Sequence, residues 1–218
     1  MTLAAEASRL ISRNWVARRG FLKNLITEWS TSGDEYLMFV AHSAIGHVLS
    51  SNQSVEEWAV PILFKANFNP LWRAREGVTF ALEALLENSG DLALRLIDSW
   101  CNSRQPIVIR NSIVALAHPT QLRRNRSQLD ALERYNGIGM EIVAETLNPS
   151  DDTKMLAKSL CFTLSVAAEA DEGYLDEFEK WISSKVKAWR PILRENLTKA
   201  RIRKKYPSRV EVLLNRLG

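Results

Sequence analysis

The sequence is poor in the residues that make turns and cross-links. Glycine occurs nine times and proline seven times in 218 residues. A β-sandwich or barrel needs frequent turn residues, and this supply is too thin for one. Cysteine occurs twice, at Cys101 and Cys161, with no Cys-x-x-Cys pair. A disulfide scaffold takes more cysteines in a shorter chain, and a zinc site takes ligands at fixed spacing. Both thiols therefore read as buried and reduced. Apolar runs break well before the about 18 residues that a membrane span requires. The stretch Met1–Glu6 has no basic region ahead of an apolar one, and Arg9 and Arg13 interrupt the residues after it. No signal peptide is expected, and the reading is a soluble cytoplasmic protein.

Catalytic signatures are missing as well. No Gly-x-Gly-x-x-Gly, phosphate-loop or Gly-x-Ser-x-Gly pattern occurs. His42 and His47 stand five apart, about 140° around a helix, so they do not share a face as two metal ligands would. His118 precedes Pro119 and reads as a helix C-terminal residue, where a cation suits the dipole. The pairs Glu56-Glu57, Asp151-Asp152, Asp171-Glu172 and Asp176-Glu177 fall at helix starts, where capping and the dipole explain them. Adjacent carboxylates on a helix point about 100° apart, a poor arrangement for one acid–base site. No catalytic residue, metal ligand or cofactor is assigned.

What the chain does have is helical periodicity. At 46% apolar and 25% charged residues it can bury a core, which excludes disorder. Leu3, Leu10 and Ile11, then Trp15, Phe21, Leu22, Leu25, Ile26 and Trp29, recur at spacings of three, four and seven. Asp34 opens another helix. Ser54 reads as an N-cap, and Pro70 and Pro106 as helix starts. Asn148-Pro149-Ser150 and Tyr206-Pro207-Ser208 read as breaks. The pattern predicts about eleven to thirteen helices with short connections and no strands. Ile107-Val108-Ile109 is β-branched, but Pro106 before it and Ile113, Leu116 and Ala117 after it favour a helix.

Four basic residues anchor an internal repeat: Arg75, Arg110, Lys158 and Arg194. Each follows an apolar residue, precedes a polar one, and has an apolar residue three positions on. Their spacings of 35, 48 and 36 residues suit stacked helical hairpins, in which no single hairpin buries its apolar face alone. In such a stack the basic head reaches an acid or carbonyl of the adjoining repeat, with Asp98 and Asp151 as acceptors. The expected fold is all-α, one domain over 1–218, an α-α superhelix.

Pro106–Ala117 resembles the second-helix consensus of HEAT repeats, the armadillo-like helical hairpins. Trp72-Arg73-Ala74-Arg75-Glu76 is similar, as is Trp189-Arg190 running to Arg194-Glu195. The stretch 70–119, and the basic segment 187–217 with Tyr206-Pro207, resemble the DNA alkylation-repair branch of HEAT-like proteins. That resemblance implies a basic concave face on the DNA backbone, and in its glycosylase members an aromatic cleft with a carboxylate and an arginine. Trp72, Trp100, Trp181 and Trp189 supply aromatics, and Asp98 and Asp176 acids, but none stands in a transferable catalytic motif.

Charge gives the sharpest functional pointer. The formal +4 divides into +4 over 1–23, −9 over 24–184 and +9 over 185–218. Two function classes remain open. One is a non-catalytic module binding a protein partner on its concave face. The other is a DNA-binding relative of the alkylpurine DNA glycosylases, with phosphates meeting Trp72, Arg73, Arg75, Arg110, Trp189, Arg190, Arg194, Lys199, Arg201, Arg203, Lys204 and Lys205. Arg123, Arg124 and Arg126 form a weaker second patch. The basic segment also has a plain alternative: its cations partner the acidic middle of the same chain.

Overall fold

A computed structural model of the chain describes residues 3–218, with side-chain surroundings from residue 6 onward. Met1 and Thr2, which begin the amino-terminal stretch expected to carry no signal peptide, lie outside the described residues. The described residues form fourteen α-helices and two short 3-10 turns, with no strand. Ile107, Val108 and Ile109 are helical and buried. No helix among the described residues is long and apolar enough to cross a membrane. Cys101 is buried and Cys161 half-buried, and they form no disulfide. The chain divides into two compact units, one running to Asn102 and one from Ser103 to Gly218.

Unit 1 holds α1 (Leu3–Arg13), α2 (Trp15–Trp29), α3 (Glu35–Ser51), α4 (Glu56–Ala66), α5 (Trp72–Asn88) and α6 (Gly90–Cys101). Its axis is α3, which packs against α1, α2, α4 and α5. From Met38 to Gly46 every residue of α3 is buried, and the helix is apolar nearly all round, as one enclosed by neighbours must be. The Asp34 side chain caps it by accepting from Tyr36 N and Leu37 N, as the sequence predicts. A Cβ on Gly46 would lie 2.4 Å from Ala81 Cα and O, so the backbones of α3 and α5 touch there. A second close approach follows at Gly77, where a Cβ would lie 2.9 Å from His42 Cβ. This crossing sets His42 Nδ1 2.9 Å from the Ala74 carbonyl. A carbonyl only accepts, so Nδ1 carries the hydrogen and Nε2 keeps its lone pair.

Three local readings need correction. Val55, not Ser54, stands at the N-cap of α4, after a 3-10 turn (Gln53–Val55) whose cap is the Asn52 side chain. Helix α5 begins two residues after Pro70, because Asn69 Oδ1 accepts from Leu71 N and holds a turn open first. In α2, Arg18 leaves the helical region at φ −135°, a kink with no proline to announce it.

Unit 2 holds α7 (Pro106–Leu116), α8 (Pro119–Leu122), α9 (Arg126–Glu145), α10 (Asp151–Ala170), α11 (Leu175–Ser183), α12 (Trp189–Leu197), α13 (Ala200–Lys205) and α14 (Pro207–Leu217). The short α8 and α13 take the total above the expected range. Here α10 is the axis, capped by Ser150 and packed on α7, α9, α12 and α13. His118, expected to close α7, stands at the N-cap of α8. Side chains rather than bare backbone set the helix spacing. A Cβ on Gly139 of α9 would meet only the methyl ends of Leu160, at 3.3 Å, and of Leu156, at 3.4 Å. Buried Asn196 latches α12 to α10: its Nδ2 donates to Leu160 O (2.7 Å) and its Oδ1 accepts from Ser165 N (2.8 Å).

Candidate functional site

The four repeat anchors occupy unlike surroundings. Arg110 is buried on α7 and Arg75 is half-buried on α5, whereas Lys158 on α10 and Arg194 on α12 are exposed. Asp151 pairs with Lys154 one turn on in its own helix, at 3.0 Å.

Of the residues expected to bind phosphate, three belong to unit 1 and nine to unit 2. Trp72, Arg73 and Arg75 open α5, whose start lies beside the start of α3. Arg73 Nε is 3.3 Å from Glu35 Oε1, and its guanidinium lies 4.5 Å above the Tyr36 ring. The Arg75 guanidinium lies 5.9 Å from the Trp72 ring. Tyr36, Phe68 and Trp72 are exposed at 56, 47 and 40%. The result is an aromatic surface with Arg73 close over the Tyr36 ring and Arg75 at the edge of cation–π range from Trp72. Planar guanidinium groups stack on aromatic faces while their edges stay available to acceptors. Tyr36, Phe68 and Glu35 were not among the sequence candidates. Glu35 reads in sequence only as a first-turn acid of α3, and the neighbours of Tyr36 and Phe68 are brought together only by the fold.

Unit 2 spends most of its expected site on itself. Arg110 donates to Asn111 Oδ1 at 2.8 Å in the interior. Trp189 Nε1 donates to the Met140 carbonyl at 2.6 Å, and its ring lies 6.4 Å from that of Trp181. Arg190 and Arg194 donate to the carbonyls of Leu217 and Gly218. Lys199 pairs with Glu195, and Lys205 donates to the Glu169 carbonyl. Beyond the expected set, Arg209 binds Asp176, and Arg216 pairs with Glu179 at 3.4 Å. Arg123 pairs with Glu169, and Arg126 with Asp130 and Asp171. The Arg126 guanidinium holds the Asp171 carboxyl below the usual range. Among the described residues Arg201, Arg203 and Lys204 of α13 have no ion pair, Arg203 and Lys204 being exposed and Arg201 partly so.

The titratable groups follow their surroundings. Burial lowers the His42 pKa and keeps the ring neutral. His47 lines a separate polar cavity with Arg9, Ser12 and Glu87, so the two histidines do face apart. Burial, with Glu76 nearby on the same helix, pushes Glu83 of α5 up to about 7. Among the described residues no group of three or more His, Cys, Asp or Glu is placed to hold a metal ion. Comparison with protein-family models, with curated proteins and with solved structures finds no match to this chain.

Proposed function

We propose that the chain is a cytoplasmic, non-catalytic interaction module of HEAT-like helical hairpins that docks a protein partner on the aromatic surface of unit 1. The observation that carries this is the exposure of Tyr36 and Trp72 beside Arg73 and Arg75. Trp, Tyr and Arg dominate binding energy at protein interfaces. The test places the photocrosslinker benzoylphenylalanine at position 72 in cells. The expected outcome is one discrete protein adduct, lost when Arg73 and Arg75 become Glu. Absence of any adduct at 72 removes the proposal.

A second reading, in line with the resemblance to DNA alkylation-repair proteins, uses the unpaired cations Arg201, Arg203 and Lys204 on duplex phosphates. Each phosphate contact contributes about 0.9 to the slope of log affinity against log salt. Changing all three to Gln then lowers that slope by about 3 in a gel-shift titration. No binding at low salt removes this reading.

A further inference from the structure

We infer that unit 1 carries a binding site for a small, uncharged aromatic compound with one hydrogen-bond donor, a hydroxyl or a ring N–H. The site is a cavity of about 580 Å³ between the end of α2, α3, α4 and the turn before α5. That volume lies within the range of small-molecule pockets.

The polar groups of its wall define what fits. Thr27 Oγ1 donates to Lys23 O at 2.8 Å, and Ser30 Oγ donates to Ile26 O at 2.7 Å. Thr31 Oγ1 likewise points its hydrogen back to the carbonyls of Thr27 and Glu28. A hydroxyl has one hydrogen, so each of these three now offers only lone pairs. His42 adds a fourth acceptor. Its Nδ1 is committed to Ala74 O, and its Nε2 makes no hydrogen bond among the described residues. The residue is only 1% exposed. Its Nε2 is nevertheless not sealed from solvent, and His42 lines the cavity, so this lone pair is open to a donor from that side.

Charge and shape narrow the ligand further. The four acceptors favour positive charge and the Lys65 ammonium favours negative, so the wall selects neither sign and its apolar part decides. The remaining wall includes Met38, Pro61, Phe68 and Pro70. A methionine sulfur and aromatic edges pack well on a flat π face. The ligand is therefore neutral, flat and apolar, with its donor directed at His42 Nε2. This site stands without the proposed partner surface, whose Tyr36, Trp72, Arg73 and Arg75 do not line it.

The experiment titrates the full chain with indole and with benzothiophene, in which sulfur replaces the N–H at nearly equal shape. Binding is read by calorimetry and by the 15N signal of the His42 ring. Indole is expected to bind about tenfold more tightly, the worth of one hydrogen bond, and to shift Nε2. In His42→Asn the amide nitrogen takes the place of Nδ1 and still donates to Ala74 O, while Nε2 is gone. Indole then falls to the level of benzothiophene, which is unchanged. Should that variant fail to fold, Ile62→Trp fills the cavity from α4, leaves His42 in place, and is expected to abolish binding of both. Equal binding of the two compounds by the natural chain overturns the inference. So does no binding of either at millimolar concentration, an unmoved Nε2 signal, or retained indole preference in His42→Asn.

Discussion

The two units share an architecture and differ in what holds it. Each wraps its helices around one buried axis, α3 in unit 1 and α10 in unit 2. Unit 1 brings backbone against backbone, with Gly46 on Ala81 and Gly77 on Phe39. Unit 2 keeps its helices apart by leucine side chains and ties them with polar bonds from Asn196 and Trp189. Their surfaces differ in the same sense. Unit 1 has nine basic and eleven acidic residues and leaves several large aromatics exposed. Unit 2 has twenty basic and fourteen acidic residues and binds most of its cations internally. Charge density in a segment is therefore a poor measure of charge available to a partner.

The largest effect that sharpens this contrast is expected from a matched pair of glycine substitutions. Gly46→Ala puts a methyl into backbone at 2.4 Å, so α3 and α5 must separate. The expected loss exceeds about 3 kcal/mol, at the upper end for overpacking. Gly139→Ala meets only movable leucine methyls and gains helix propensity, so its change stays within about 1 kcal/mol of zero. Urea denaturation monitored by hydrogen exchange in each unit checks both. Equal costs would erase the distinction between the two kinds of packing.

Next in size is Asn196→Ala. It strips the donor from the Leu160 and Ile192 carbonyls and the acceptor from Ser165 N. Buried groups left unsatisfied cost about 1–3 kcal/mol each, and partial relaxation brings the expected total to about 3 kcal/mol. The loss is confined to the exchange protection of unit 2.

Glu83 gives unit 1 a pH dependence. Its folded pKa of about 7 lies above the ordinary 4.5. Between those values the unfolded chain ionises first, so the stability present below pH 4.5 is lost as pH rises to about 7. Glu83→Gln removes the loss, and is expected to stabilise the chain by about 2 kcal/mol at pH 8 and by almost nothing at pH 4. Thermal unfolding at the two pH values decides. A variant that is no more stable at pH 8 contradicts the burial of this carboxyl.

The smallest effect belongs to the surface of unit 2. Arg216→Ala removes an exposed ion pair with Glu179 and is expected to cost no more than about 0.5 kcal/mol. A loss above 2 kcal/mol would show that these pairs hold the unit together, contrary to the reading of its latches.

Helix content was legible because spacings of three and four mark every major element, and Asp34 and Ser150 announce two starts. The breaks were less legible. The turn that delays α5 depends on the Asn69 side chain finding Leu71 N, and the kink at Arg18 has no residue type that signals it. The surroundings of the candidate residues were legible by halves. Trp72, Arg73 and Arg75 stand out in sequence and do share a surface with Tyr36. The basic segment 185–218 stands out more and delivers less, because the acids and carbonyls that occupy it are contributed from far along the chain. Arg209 meets Asp176 across 33 positions and Lys205 meets Glu169 across 36. No count of local charge contains that pairing.

The division at Asn102 and Ser103 also bears on the order of events during synthesis. In unit 1, Ser8 reaches the Val40 carbonyl across 32 positions, His42 reaches Ala74 across 32, and Ser89 reaches Ser50 across 39. All of these partners precede the boundary. Once that boundary has emerged from the ribosome, α3 has met every helix it packs against within its unit, while α10 has yet to be made. Loop closure over a few tens of residues is fast compared with translation at about 5–20 residues per second. Unit 1 therefore has the time and the partners to close its glycine-lined crossing first, and the aromatic surface beside it is presented while unit 2 is still being translated.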